Sequence, residues 1–220
     1  MRRMYCLLLC ALPLFPAAGC VSANSKEQAV KKYLSEATER EKDRDYQGAL
    51  TRLNMALALD PQNGSALARR GMVKARLNDT ADALQDFDLA IKLQPDNFSA
   101  YLGRGLLHRQ LKETEAALAD LNEAIKLAPR VSLLYLARGR TYAGAGMADK
   151  AVEDFSQALE LDSMNYEAYM ERAYVNMTLK QNDRAISDLR YVQENAKDPV
   201  FVQRARELLN ELSGSPGNRR

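Results

Sequence analysis

The chain has no tryptophan and one histidine, and its three cysteines all fall within the first twenty residues. Each scarcity removes a class of chemistry. With His108 alone no imidazole pair can form, and no His/Cys cluster has metal-ligand spacing. His108 reads as a packing or groove residue rather than a general base. A disulfide-stapled domain needs paired cysteines, and none lies beyond Cys20. No strand-like run with a glycine-rich loop after it is evident, which excludes phosphate cradles. The acids are spread over helix surfaces without a credible catalytic pair. Charge of one sign is also lacking: 31 Lys+Arg oppose 29 Asp+Glu, and without Arg2 and Arg3 the balance is 29 against 29. A near-neutral chain lacks the basic patch expected of a nucleic-acid binder. These absences predict a protein that is not an enzyme and needs no cofactor or metal.

What is present begins at the N-terminus. Arg2 and Arg3 precede an apolar run of ten residues, Tyr5 to Leu14. That is too short to cross a bilayer, which takes about 20 residues, and fits a secretion signal. The segment ends in Pro16-Ala17-Ala18-Gly19-Cys20. It resembles the lipobox of bacterial lipoproteins, although Ala17 stands where that family usually has Leu. The resemblance implies a signal peptide over 1–19, cleavage before Cys20 and diacylation of its thiol. Val21, in place of Asp, then implies export to the outer membrane, facing the periplasm. Two or three acyl chains anchor firmly where one binds only marginally. The alternative is cleavage after Gly19 to give a soluble, unlipidated periplasmic protein whose array mediates self-association. Residues 20–29 read as a short tether and the start of a first helix near Lys26. About five extended residues before that helix reach roughly 18 Å.

The rest of the chain is periodic. Ala49, Ala83, Ala117, Ala151 and Ala185 stand 34 residues apart. With these alanines as position 20, the units are 30–63, 64–97, 98–131, 132–165 and 166–199. Position 4 is Tyr33, Leu67, Tyr101, Tyr135 and Tyr169. Position 8 is Ala37, Gly71, Gly105, Gly139 and Ala173. Position 24 is Leu53, Phe87, Leu121, Phe155 and Leu189. Position 32 is Pro61, Pro95 and Pro129, then Ser163 and Lys197. Steps of three and four place positions 4, 8 and 11 on one helical face, and 20, 24 and 27 on another. Each unit therefore reads as two helices, the second ended by proline. Glycine within a helix costs about 1 kcal/mol relative to alanine. Its recurrence at position 8 predicts a close helix crossing.

Two positions vary together. Position 7 is Arg70, Arg104, Arg138 and Arg172; position 23 is Asp86, Asp120, Asp154 and Asp188. In the first unit the signs reverse, with Glu36 and Arg52. This exchange predicts ion pairs that tie the units together. As exposed pairs they are expected to contribute about 0–1 kcal/mol each. Beyond the fifth unit, Asp198-Pro199 reads as an N-cap with proline at N1. A capping helix over 200–213 and a loose tail over 214–220 are expected.

This pattern resembles the tetratricopeptide repeat: an aromatic at 4, Gly at 8, Ala at 20, an aromatic at 24, Ala at 27 and Pro at 32. The resemblance implies an all-α fold, a right-handed superhelical solenoid of helix-turn-helix units. It further implies that positions 2, 5, 9, 12 and 13 line a concave groove binding a protein or peptide segment. The groove would then contain Met72, Arg76, Leu102, Leu106, Arg109, Leu136, Arg140, Met170, Tyr174 and Met177. Position 5 has a second reading, burial against the next helix. The Lys/Asn set of the family's chaperone-binding carboxylate clamp is missing. Lipoproteins with such arrays serve as scaffolds in pilus or secretin assembly, or dock envelope enzymes. The resemblance does not choose between these roles.

Overall fold

The structure is a computed structural model describing residues 23–214. The leader, Cys20 and the tail from 215 lie outside the described residues. Among the described residues there are eleven α-helices and no strand. Five hairpins follow one another: α1 (Ala23–Lys42) with α2 (Tyr46–Leu59), α3 (Gly64–Arg76) with α4 (Thr80–Leu93), α5 (Phe98–Gln110) with α6 (Thr114–Leu127), α7 (Ser132–Gly144) with α8 (Ala148–Leu161), and α9 (Tyr166–Thr178) with α10 (Asn182–Asn195). A final helix, α11 (Pro199–Gly214), packs on α10. No described helix is long and apolar enough to cross a membrane.

The helix boundaries follow from capping. Asn63, Asn97 and Asn165, all at position 34, accept backbone N–H groups from the first turn of the next helix, which satisfies donors that a helix start leaves open. Each hairpin turn has position 15 in the left-handed region: Arg44, Asn78, Lys112, Gly146 and Lys180, at φ between 59° and 75°. Paired bonds close every one of these turns, as in Asp79 N to Lys74 O and Asn78 N to Ala75 O. This is the Schellman arrangement. Only Gly146 and Asn78 suit it by residue type, so the turn is dictated by the hairpin and accepts the cost of left-handed Arg and Lys.

The crossing is close, and its occupant is the position 24 side chain. Positions 20 and 24 are wholly buried in all five units. A Cβ on Gly71 would lie 2.8 Å from Phe87 Cε1, and one on Gly139 would lie 2.6 Å from Phe155 Cε1. Position 8 is small so that a ring can lie flat against the backbone of the partner helix.

The ion pairs form, but within each unit rather than between units as expected. In each of units two to five the position 7 guanidinium binds its aspartate through two parallel bonds of 2.7–2.9 Å. The third nitrogen, Nη1, reaches position 25 of the preceding unit: Asn54, Asp88, Asn122 and Ser156. That bond is what ties neighbouring units. Three of these arginines also lie over the position 4 tyrosine rings, 5.7–5.9 Å from the centroids. The reversed pair, Arg52 Nε to Glu36 Oε2, is one 3.2 Å charge contact without hydrogen-bond alignment. The expectation of exposed pairs is corrected. Asp86, Asp120, Asp154 and Asp188 are buried at 4–6% exposure, because the arginine and the position 24 side chain cover them. The hydrogen bonds it donates to Asp120 hold the Arg104 guanidinium above its ordinary range, outweighing the opposing effect of burial.

The first helix also differs from its expected start. It is already helical at Ala23, the first described residue, and so extends further toward the N-terminus than a start near Lys26. Asn24 and Ser25 are poor interior helix formers but are tolerated in a first turn, where amides lack intrahelical partners.

Two stability outcomes follow. A double-mutant cycle on Arg104→Ala and Asp120→Ala is expected to show coupling of about 1–3 kcal/mol in denaturant unfolding; additive single effects would remove the anchoring role. Gly139→Ala is expected to lower stability by about 1–3 kcal/mol through overpacking against Phe155, and an unchanged unfolding midpoint would contradict the close crossing.

Candidate protein-binding groove

Curvature decides which face can receive a partner. Helices α3, α5, α7, α9 and α11 touch in succession, whereas in every substantial contact an even-numbered helix meets only odd-numbered ones. Units that close up on one side curve toward it, so the odd-numbered helices line the concave face.

Three cavities run along this face. The first, about 450 Å3, is lined by Met72, Ala75, Arg76, Phe87, Gly103, Leu106 and Arg109 among others. The second, about 470 Å3, is lined by Arg109, Arg140, Ala143, Gly144, Glu171, Tyr174 and Val175. A third, about 310 Å3, lies between α7, α9 and α11, with Arg140, Met170, Tyr174, Val200 and Phe201 in its walls. Arg109 belongs to the first two, and Arg140 and Tyr174 to the last two, so the cavities adjoin in a row along the concave face.

The expected groove residues separate into surface and core. Met72, Arg76, Leu106, Arg109, Arg140, Met170 and Tyr174 line these cavities. Tyr174 is 57% exposed and presents an apolar ring with a polar tip, a combination suited to an interface. Leu102 and Leu136 do not belong to the groove surface and are corrected to core, at 6% and 1% exposure. Position 5 is pressed between adjacent helix pairs in the middle of the stack: Leu102 packs with Leu121, and Leu136 with Phe155. Met177 is half-buried in the core beneath α11. Cys20 lies outside the described residues.

Charge in the groove is uneven. Arg140 donates to Glu171 at 2.8 Å and contacts Glu167. Burial lowers its pKa, but the bond to Glu167 and the charge of Glu171 prevail and raise it. Arg109 has no hydrogen-bonded or ion-paired partner among the described residues. Burial first, and then the like charge of Arg140, push its guanidinium below the ordinary arginine range, with Glu171 only partly compensating. Arg76 is exposed and equally free of a described carboxylate.

Sequence reasoning missed the acids Glu167 and Glu171 and the contribution of α11. Position 6 carried a usable signal: it varies from Arg69 to Gly103 to Glu171, while its neighbours in the repeat are regular. His108 is accounted for by packing. Its Nδ1 lies 2.6 Å from Glu113 Oε2 and its Nε2 3.9 Å from Asp120. No group of three or more His, Cys, Asp or Glu among the described residues could hold a metal ion.

Fold and groove together define a helical-repeat scaffold. The tetratricopeptide repeat model matches residues 34–97, 69–131 and 136–199, and the chain belongs to that family. Proteins of this family bind peptides or proteins in such a groove and are generally non-enzymatic scaffolds. A search of curated proteins finds no match. Solved structures similar to this chain include TTC0263, a thermophilic TPR protein of Thermus thermophilus, at 25% identity and TM-score 0.72, over 82% of this chain and 99% of that one. PilF of Pseudomonas aeruginosa is similar at 20% identity and TM-score 0.68, over 86% and 95%. YrrB, described as a TPR protein with an unusual peptide-binding site, is similar at 20% identity and TM-score 0.60, over 84% and 100%. The last two likenesses speak to fold alone.

The division into core and surface has a measurable consequence. Leu136→Ala is expected to destabilise the protein by about 2–5 kcal/mol. Tyr174→Ala is expected to stay within about 0.5 kcal/mol and to weaken partner binding instead. Equal stability losses in thermal or denaturant unfolding would contradict it.

Proposed function

We propose that the chain is a lipid-anchored scaffold of the bacterial envelope that holds a partner protein's segment, extended or helical, in the concave groove. The observation that carries this reading is the row of adjoining cavities, with Tyr174 exposed in it and Arg109 unpaired. Both groups are accessible, so a partner could stack on the ring and pair with the guanidinium. The lipobox-like Pro16–Cys20 segment supports a diacylated Cys20 and an outer-membrane position facing the periplasm. With α1 already helical at Ala23, the link to such an anchor would be at most two residues, roughly 7 Å if extended. The first unit would stand directly on the bilayer, with the groove of units two to five beyond it. The near-neutral balance favours protein over nucleic acid as partner. Two roles fit: assisting pilus or secretin assembly, and docking envelope enzymes such as peptidoglycan hydrolases or proteases.

Both halves of the proposal can be tested in native cells. Mass spectrometry of the mature N-terminus is expected to show a diacylated Cys20; an unmodified cysteine there would end the anchoring proposal. A photo-crosslinker at Leu106 or Tyr174 is expected to capture a partner, whereas one at Leu89 on α4 captures none. The reverse pattern overturns the groove reading. Capture of a secretin or pilin subunit selects the assembly role, and capture of a hydrolase or protease selects docking.

A further inference from the structure

We propose that the step between the second and third units is an apolar socket for a partner segment in which a large hydrophobic side chain is flanked by carboxylates. The inference rests on the groove reading above and specifies its occupant. It starts from position 6, whose side chain faces the preceding unit. In the second unit Arg69 closes the step. It donates to Leu34 O at 3.0 Å, Thr38 Oγ1 at 2.8 Å and Glu41 Oε1 at 2.6 Å. In the fifth unit Glu171 closes the step by accepting from Arg140. In the fourth, Ala137 is buried in a cluster against which Leu106 packs. In the third unit the residue is Gly103, which supplies no side chain.

Gly103 is not simply a gap. A Cβ there would lie 2.4 Å from Phe87 Cε1 and 3.3 Å from Met72 Cγ. The glycine lets the wholly buried Phe87 ring edge pack directly beneath the roughly 450 Å3 cavity, whose partly exposed apolar walls are Met72, Ala75 and Leu106. That volume admits a leucine or phenylalanine side chain, and a flexible methionine wall adapts to either. The rim has Arg76 and Arg109, and no acidic residue lines the cavity. Neither arginine has a carboxylate partner among the described residues. Arg109 is further disfavoured by burial and by Arg140, so an incoming carboxylate meets an uncompensated cation. Toward the C-terminal end of the groove, Glu167 and Glu171 already neutralise Arg140. The charge gradient therefore fixes the placement: acids over the second and third units, and neutral or apolar residues over Tyr174 and Val200.

The test uses the purified protein and three fluorescein-labelled peptides of equal length with blocked ends. One alternates Asp or Glu with Phe or Leu; one has Lys in place of the acids; one has Ser in place of the apolar residues. Anisotropy titration is expected to show the acidic apolar peptide binding at least tenfold more tightly than either control, with affinity falling as salt rises. Arg109→Glu or Arg76→Glu is expected to weaken it roughly tenfold, and the double variant to prefer the Lys peptide. Ala75→Trp fills the cavity without changing charge and is expected to abolish binding. Arg76 and Arg109 are exposed, so the charge arm stands whatever Ala75→Trp does to folding. Equal binding of acidic and basic peptides, or binding by none of the three, overturns the proposal. Crosslinking from Leu106 in cells separates the two readings. A captured segment that is basic, or lacks large apolar residues, removes the socket and leaves the groove. Capture only from the convex face removes both.

Discussion

A solenoid has no central core, so everything rests on the crossing inside each helix pair. There the small residue at position 8 receives the position 24 side chain, and the position 20 alanine is wholly excluded from water. Burial of a leucine or phenylalanine side chain stabilises by about 1.5–3 kcal/mol, and one such side chain recurs every 34 residues. Because each unit touches mainly its neighbours, stability accumulates along the stack rather than toward a centre. The open end after α10 needs a cover, and Ala205, Leu208 and Leu212 of α11 are buried there. The same helix supplies Val200 and Phe201 to the groove wall, so the lid also bounds the binding face.

Burial at the crossing is not directional, and the arginine junction adds direction. One guanidinium holds its own unit's aspartate with two nitrogens and the preceding unit with the third. A surface pair contributes little because water competes for both charges. Here the carboxylate has left water, so a missing arginine strands a buried anion. The junction therefore specifies register more than it adds stability: a unit slipped against its neighbour keeps its own pair but loses the third bond to position 25. Among the described residues no helix pair precedes the first unit, and its reversed pair, Glu36 with Arg52, is the least well aligned of the series. That fits a terminal unit with nothing to bridge to.

The repeat, the helix pairs and the ion pairs were legible because each is written five times, and coincidence cannot sustain a five-fold pattern. The exchange of sign at Glu36 and Arg52 was the most informative residue-level signal, since it linked two positions without any structure. What stayed hidden is what the repeat permits to vary. Arg44, Lys112 and Lys180 adopt a left-handed conformation that their side chains do not announce. Leu102 and Leu136 share a helical stripe with true groove residues, and periodicity cannot separate a stripe's buried edge from its exposed one. Depth in the stack decides that, and depth is a tertiary quantity. The start of α1 was misplaced for a local reason, since polar residues in a first turn look like a loop.

Variation at position 6 is where a structural repeat becomes a specific surface. A charged residue there, Arg69 or Glu171, spends its bonding on the neighbouring unit and presents little to a ligand. A glycine withdraws from that exchange and lets the buried Phe87 ring pack against its backbone, leaving the step without a bridging side chain. The groove thus has two sealed steps, near its ends, and an open region between them. A partner meets apolar surface and unpaired positive charge in the same place, and a segment satisfying only one of them gains only part of the available interaction. Specificity then depends on pairing the two features in one short stretch of partner chain. The scaffold's regularity makes this possible, because one glycine in an otherwise constant frame removes the side chain that seals the other steps.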